Sequence, residues 1–352
     1  MLGLETYKYI NGNYLVHYNP YSRKLTKRGF RRGEELKASF PDSLDLKITN
    51  KCVWGCPWCH ESSTKDGNSF SLERTKEVLS QLPRVPIEVA IGGGNILDIP
   101  HETLELVDWM KDYGFLPRIT INYKDIQSRW NKITDQTLNR LIYDVHTLGI
   151  SLDELPKDDK GEEINEYSDY FYVDYSQIKR KRKKSLVEDE YEKDYGKDDP
   201  MYFARNTVGS LGRDVVFHII AGLFPHKDLK TLRKNFSKVP ILVLGYKQWG
   251  RAQGTHLPPE LPEFERAIDE LLKNDLGNSR SVLGFDNLAI EQLNIKDKVP
   301  RSMWDKLFLG EDGSHSMYID AVKGEFAVSS RSSERVSWND IGLLDYFKSI
   351  RE

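Results

Sequence analysis

Residues 52–59 read Cys52-Val53-Trp54-Gly55-Cys56-Pro57-Trp58-Cys59, and this stretch holds all three cysteines of the 352-residue chain. Cysteines that serve as small apolar core residues would be scattered along a sequence. Three thiolates in one short loop can instead bind three corners of an iron–sulfur cluster and leave the fourth iron open to a ligand from outside the protein. The spacing therefore indicates a cluster-binding loop.

Three other kinds of cysteine site compete with this interpretation. A disulfide framework does not suit an odd number of cysteines in a sequence without a recognisable secretory signal. Zinc could take the three cysteines and His60, although adjacent ligands reach one tetrahedral ion poorly. A redox pair of Cys56 and Cys59 stays open, because they form a Cys-x-x-Cys motif, but it leaves Cys52 without a role.

The cysteine spacing, with Trp58 just before the last cysteine, resembles the signature loop of the radical S-adenosylmethionine (SAM) superfamily. The resemblance implies that Cys52, Cys56 and Cys59 hold a [4Fe-4S] cluster and that the amino and carboxylate groups of SAM chelate the fourth iron. An electron from the cluster then cleaves SAM to methionine and a 5′-deoxyadenosyl radical, which abstracts hydrogen from a substrate. It also implies an external one-electron donor such as a flavodoxin or ferredoxin.

From residue 43 onward the sequence alternates strand and helix patterns. Ser71 is placed to cap one helix, Pro100 to begin the next, and Gly149 to end a third. Strands alternating with helices favour parallel pairing through right-handed crossovers. The predicted fold class is α/β, a partial (β/α)6 TIM-like barrel, as the resemblance also implies, with strands at residues 44–48, 87–91, 119–123, 150–153, 215–220 and 240–244.

The remaining sequence divides into flanking parts and one insertion. Residues 1–42 are predicted to be a β-rich lead-in, since Asn11-Gly12 between two β-prone stretches predicts a hairpin. Residues 43–280 form the predicted core barrel, with a charged insertion at about 157–213. Residues 281–352 form a C-terminal extension, in which residues 313–330 resemble the tail of radical SAM maturases that bind auxiliary clusters. Serine, histidine and arginine stand there in place of cysteines, so an all-cysteine auxiliary cluster cannot be built.

The resemblance further implies which residues contact SAM. The glycines after the second strand resemble a Gly-Gly-Glu motif that holds the methionyl amino group, with Asn95 in place of the acid. An asparagine carbonyl can accept from an ammonium, but without charge assistance. The residues at the fourth strand resemble a Ser-x-Asp pattern. The expected cofactor-binding residues are Trp58, Gly93, Gly94, Asn95, Ser151 and Asp153, and no catalytic residue is assigned.

The substrate is less well defined than the cofactors. The maturase-like tail and the lateral opening of a partial barrel favour a peptide or protein. A run of six basic residues, Lys179–Lys184, keeps a nucleotide or RNA substrate open, although such a run is more often a solvated segment. The net charge of −3 gives no global electrostatic case for nucleic acid. A non-catalytic cluster-binding or zinc-binding protein is the third interpretation.

The predicted localisation depends on two features that the sequence lacks, a membrane-spanning segment and a recognisable targeting signal. No apolar run approaches the roughly 20 residues that span a bilayer, so no membrane partner is expected. Reduced cysteines, an oxygen-sensitive cofactor and the lack of a recognisable targeting signal favour the cytoplasm.

Overall fold

A computed structural model of the protein describes residues 6–129, 136–155, 215–236, 239–275, 283–308 and 310–351. In these residues, ten strands form one mostly parallel sheet, and three further strands form a separate antiparallel sheet. The predicted insertion at about 157–213, with its Lys179–Lys184 run, lies outside the described residues.

The N-terminal antiparallel sheet consists of β1 (Tyr7–Asn11), β2 (Tyr14–Asn19) and β3 (Lys24–Gly29). The turn between β1 and β2 contains Gly12 with a φ of 61°, a left-handed conformation that favours glycine. The hairpin predicted at Asn11-Gly12 is therefore confirmed.

Six strands of the large sheet pair in chain order, and each pairs in parallel with the next. A seventh, β10 (Leu283–Phe285), extends the sheet in parallel beside the last of them. The chain order and the parallel pairing agree with the predicted barrel. The six strands are β4 (Ser43–Thr49), β5 (Glu88–Gly93), β6 (Leu116–Asn122), β7 (Thr147–Leu152), β8 (Val215–Ile220) and β9 (Ile241–Leu244).

The helices between these strands begin and end largely where the sequence indicated. Ser71 caps α1 by accepting from the backbone N–H of Arg74, Pro100 is the first residue of α2, and Gly114 ends α2 in the left-handed conformation. These helices are α1 (Leu72–Leu79), α2 (Pro100–Tyr113), α3 (Tyr123–Arg129), α4 (Gln136–Asp144), α5 (Leu229–Asn235) and α6 (Leu261–Asp275).

One predicted boundary is wrong. Gly149 does not end α4, because β7 begins at Thr147 and Gly149 lies inside that strand. A Cβ at Gly149 would lie 2.7 Å from both His218 Cε1 and Thr120 Oγ1. The glycine is therefore required by close packing between strands and not by a helix end.

The two faces of the parallel strands differ in polarity. Leu44, Leu46 and Ile48 of β4 are buried in the hydrophobic core with apolar residues of α1 and α2. Residues that alternate with these apolar positions point to the opposite, inner face, which we call the lumen. The lumen carries mostly polar side chains, among them Asp45, Lys47, Arg118, Thr120, Asn122, Ser151 and His218.

The C-terminal extension continues the large sheet on its other side. Its strand β11 (Ser316–Asp320) pairs in parallel with β4, and β12 (Glu325–Ala327) and β13 (Val336–Ser337) follow in antiparallel fashion. Four helices of the described residues accompany these strands: α7 (Asn287–Gln292), α8 (Ile295–Lys298), α9 (Arg301–Leu307) and α10 (Leu343–Ser349).

A buried polar cluster joins the extension to the N-terminal sheet. Asp42 accepts from the Tyr14 hydroxyl at 2.5 Å and pairs with Lys27 at 2.7 Å and with His315 at 3.2 Å. Burial would raise the pKa of Asp42, but His315, Lys27 and Tyr14 outweigh burial and lower it to about 2. Within the described residues, no helix combines the length and the apolar character needed to cross a membrane.

Candidate cofactor-binding site

The cysteine loop leaves the C-terminal end of β4 and returns beside its own start. Cys52 N donates to Thr64 O at 2.8 Å, and Thr64 N donates to Asn50 O at 3.0 Å. Gly55 has a φ of 60°, so a glycine suits the bend between the first two cysteines. Cys59 N donates to Cys56 O at 3.2 Å, which closes the last turn.

All three cysteines are free thiols and are partly buried. Burial raises the pKa of Cys52 and of Cys56, and the charge of Cys59 raises both further. The backbone N–H of Trp54 opposes this at Cys52, as does Lys124 at Cys56. The three sulfurs are thus close enough to repel one another as thiolates, and a bound cation would remove that repulsion.

The loop after β9 holds the cysteine loop through Arg251. Its Nε donates to Cys56 O at 2.8 Å, its Nη1 donates to Ser63 O at 2.7 Å, and its backbone N–H donates to Cys59 O at 3.0 Å. Its Nη2 is buried and has no hydrogen-bond partner among the described residues. Arg251 therefore holds the loop backbone at the second cysteine, at the third cysteine and at Ser63.

Gly250 allows this close approach. Its φ is 58°, and a Cβ there would lie 2.4 Å from His60 O and 2.7 Å from Cys59 O. The loop after β9 therefore packs directly against the backbone of the cysteine loop at Gly250.

Gly93 and Gly94, two of the expected SAM contacts, pack against the chain that leads into the cysteine loop. A Cβ at Gly93 would lie 2.4 Å from Thr49 O, and one at Gly94 would lie 2.1 Å from Lys51 O. Gly94 N also donates to Thr49 O at 2.7 Å. Both glycines thus pack against the last residue of β4 and the residues that follow it. A Cβ at Gly92, by contrast, would meet nothing within 4 Å.

Asn95 uses both ends of its buried side chain. Its Oδ1 accepts from Leu97 N at 3.0 Å, and its Nδ2 donates to both carboxylate oxygens of Asp125, at 3.0 and 3.1 Å. Asp125, at the start of α3, is itself buried. Its charge raises the pKa of Cys52, as does that of Asp98. A carboxylate therefore lies beside the residue that stands in place of the expected acid.

Ser151 and Asp153 lie at the C-terminal end of β7. Ser151 is the register partner of Asn122 on β6 and of His218 on β8, and it is partly accessible from the lumen. Asp153 accepts from Lys124 Nζ at 2.9 Å, and its charge raises the pKa of Cys56. Trp58 lies partly buried in the cysteine loop itself. The structure thus brings all the expected cofactor-binding residues to one edge of the sheet.

A buried charge network follows the last cysteine directly. Lys47 Nζ lies 2.5 Å from Glu61 Oε2 and 3.0 Å from Asp320 Oδ2. His60 Nε2 lies 3.4 Å from Glu61 Oε1, which also accepts from the Tyr318 hydroxyl at 3.4 Å. Burial favours the neutral acid, but His60 and Lys47 prevail and lower the pKa of Glu61. The network joins the cysteine loop to β4 and the C-terminal extension.

Four residues near the cysteines were not predicted from the sequence: Asp98, Lys124, Asp125 and Arg251. Asp98 lies in the short helix after β5, Lys124 and Asp125 lie at the start of α3, and Arg251 lies in the loop after β9. Position just beyond a predicted parallel strand is the signal that identifies Lys124 and Asp125, since active sites in such folds lie there. No comparable signal connects Arg251 to a loop 195 residues earlier.

Comparison with known proteins finds solved structures with a similar fold but no relative by sequence. No protein-family model matches the chain, and no curated protein matches it either. The structure is similar to that of Streptococcus suis SuiB bound to the precursor peptide SuiA, with a TM-score of 0.53, 13% identity, and coverage of 88% of this chain and 65% of SuiB. For SuiB bound to S-adenosylmethionine the TM-score is 0.53, with 13% identity and coverage of 90% and 69%.

A second similar protein is anSMEcpe with bound AdoMet, in a form that carries a histidine tag. Its TM-score is 0.51, with 12% identity and coverage of 87% of this chain and 80% of anSMEcpe. The chain spans about two thirds of the length of SuiB. At these identities the likeness concerns the fold. The predicted α/β fold, a partial barrel with a β-rich N-terminal part, is confirmed, and that N-terminal part forms an antiparallel sheet.

Proposed function

We propose that this protein is a radical SAM enzyme that binds a [4Fe-4S] cluster through Cys52, Cys56 and Cys59. The observation that carries the proposal is the position of the cysteine loop. Three free thiols lie together at the C-terminal end of the first parallel strand in a fold of radical SAM type. SuiB and anSMEcpe, which have similar folds, bind SAM.

The donor set suits a cluster better than a single ion. Within the described residues, no three His, Cys, Asp or Glu side chains converge as the ligands of one metal ion do. A zinc site made of the three cysteines and His60 would require such convergence. In a cluster each thiolate binds a different iron, so the sulfurs stand further apart while still sharing one cofactor.

The bound cluster would supply an electron that cleaves SAM to methionine and a 5′-deoxyadenosyl radical. The protein's own residues supply position and charge. Arg251 and Gly250 fix the backbone that presents Cys56 and Cys59. The outer face of the parallel strands packs in the hydrophobic core, and the inner face forms a polar lumen below the cysteine loop.

Asp125 is our candidate for the acid that Asn95 lacks. Its carboxylate is held by Asn95 and lies near enough to Cys52 to raise its pKa. A carboxylate accepts from an ammonium with charge assistance, which an amide cannot provide. Trp58, Ser151 and Asp153 complete the proposed SAM contacts.

The substrate class is proposed on a narrower basis. The likeness to SuiB bound to its precursor peptide supports a peptide or protein substrate. The RNA alternative depends on Lys179–Lys184, which lies outside the described residues, and it stays a prediction. An external electron donor such as a flavodoxin or ferredoxin is part of the same proposal.

Anaerobic reconstitution with iron and sulfide tests the cluster assignment. We expect about four irons per chain in the wild type and loss of nearly all of them in Cys56→Ala. Val53→Ala provides a matched control, because Val53 is an exposed residue of the same loop. Full iron retention in Cys56→Ala, or zinc in place of iron, would contradict the assignment.

A further inference from the structure

Asp45 presents an unpaired carboxylate to the lumen. It lies on β4 between the buried residues Leu44 and Leu46, and its side chain is accessible from the lumen although it sits on a strand inside the sheet. Among the described residues, no hydrogen bond or ion pair is made by Asp45. Charged groups from four other segments act on it, namely Lys247, Asp312, Asp286 and Arg118.

Open space lies beside this carboxylate. The register partner of Asp45 on β5 is Ala90, whose next partner on β6 is Arg118. Ala90 contributes only a methyl group and is itself exposed. On the other side, Asp45 is the register partner of Tyr318 on β11. A gap therefore separates Asp45 from Arg118 at one level of the lumen.

The basic side chains around Asp45 are paired with other groups. Lys47, two residues further along β4, contacts Glu61 and Asp320. Arg118 pairs with Glu88. Lys247 donates to Ser330 Oγ at 2.8 Å. Lys247 and Arg118 act on Asp45 from a distance, and neither forms a hydrogen bond or ion pair with it.

The pKa of Asp45 is raised above its usual value, mainly because the surrounding protein reduces the hydration of the carboxylate. The positive charge of Lys247 opposes this rise in pKa, and the negative charges of Asp312 and Asp286 add to it. A carboxylate in such surroundings gains most from a partner that carries positive charge and donates hydrogen bonds. A divalent metal ion would require more oxygen ligands than one carboxylate. Asp286 Oδ1 is already engaged, because it accepts from Gly245 N and Ala289 N.

We propose that Asp45 binds the cationic end of a basic side chain of the substrate, an inference that rests on the proposed function. Asp45 lies four residues before Thr49, the end of β4, which corresponds to about 13 Å along the strand. The cysteine loop begins just beyond that end. A long basic side chain could enter the lumen with its charged end leading. Its charged group would then lie at Asp45, and its methylene carbons would lie nearer the cysteine loop.

Two matched peptides test this inference by calorimetry. We expect acetyl-Gly-Lys-Gly-amide to bind the reconstituted protein at least about tenfold more tightly than the norleucine analogue, which lacks only the ammonium. Arginine and citrulline peptides repeat the comparison for a guanidinium. A preference in either pair supports the inference. Equal affinities in both pairs, or no measurable binding of the charged peptides, would overturn it.

Variants at Asp45 assign the preference to this residue. Asp45→Asn should bring the affinity ratio close to one, whereas Asp45→Glu should preserve a preference for the charged peptide. Asp305→Asn, the same change on the exposed face of α9, should leave the ratio as in the wild type. A ratio that persists in a folded Asp45→Asn protein would contradict the assignment.

The outcome is separable from the proposed function. Asp45→Asn should keep the wild-type iron content, because Asp45 lies about 13 Å along β4 from the end that leads into the cysteine loop. Failure of the wild type to bind iron would remove the proposed function. A wild-type protein that has normal iron content but shows no preference for the charged peptides would remove only the role of Asp45.

Discussion

At the residue scale, Arg251 shows how the cysteine loop is held from outside its own segment. Two of its guanidinium nitrogens and its backbone N–H donate to carbonyls of the loop. The planar fork of arginine suits such simultaneous donation, and lysine cannot reproduce it. The loop backbone is thus set before any cofactor binds.

Arg251→Lys should therefore weaken cluster retention although the positive charge is kept. Hydrogen bonds from a charged donor contribute about 1.5–3 kcal/mol each, so we expect iron to be removed by a chelator at least about tenfold faster. Timed anaerobic chelation measures this rate. Arg266→Lys on the exposed side of α6 is the control. An unchanged rate of iron removal for Arg251→Lys would show that the hydrogen bonds from the guanidinium are not needed to retain the cluster.

The residues of the site differed in how far they could be predicted. The cysteines were recognisable because their chemistry depends on short spacing along the chain. The partners of Asn95 were not, because its Nδ2 reaches Asp125 across a helix and a strand. Lone glycines were equally ambiguous, since a turn and a close backbone approach require the same residue type.

At the element scale, the end of β5 supports the exit of β4. Gly94 N and Asn95 N donate to Thr49 O and Lys51 O, at 2.7 and 2.6 Å, immediately before the first cysteine. These contacts explain why a glycine-rich strand end follows the cysteine loop in the sequence. The pairing of β4 with β5 therefore fixes the position of the residues that lead into Cys52.

Gly94→Ala should destabilise the protein, because its Cβ would lie 2.1 Å from Lys51 O. Forcing atoms into such a contact typically costs about 1–3 kcal/mol of unfolding free energy. Gly92→Ala, two residues earlier in the same glycine run, is the matched control, since its Cβ would meet nothing within 4 Å. Chemical denaturation measures both variants. Equal stability of the two would argue against a packing role for Gly94.

Element positions were mostly predictable, because alternating apolar patterns and helix caps are local properties. The boundary error at Gly149 had a non-local cause. Thr120 and His218, on the strands to either side, occupy the space that a Cβ would fill. A sequence pattern carries no information on which distant side chains meet a given glycine.

At the scale of the whole molecule, the polar lumen makes stability depend on pH. Burial, helped by Arg118, lowers the pKa of His218 from its usual 6.5 to about 4. Between these values the unfolded chain binds a proton that the folded protein excludes. The contribution of His218 is therefore fully present above pH 6.5 and is lost as the pH falls toward 4.

The unfolding free energy should accordingly decrease between pH 6.5 and 4, by up to about 3 kcal/mol from His218 alone. His218→Asn removes the titrating group, so its decrease over this range should be smaller. The exposed His101, changed in the same way, provides the control. Urea unfolding at several pH values tests this. Parallel profiles for wild type and His218→Asn would contradict the assignment.

The cysteine loop and the lumen below it make up the proposed radical SAM site. The most direct measurement is the product of anaerobic incubation of the reconstituted protein with SAM and dithionite, analysed by mass spectrometry. We predict formation of 5′-deoxyadenosine and methionine by the wild type and by Val53→Ala, and none above background by Cys56→Ala. A protein that holds its full iron content and yet forms no 5′-deoxyadenosine would contradict the claim.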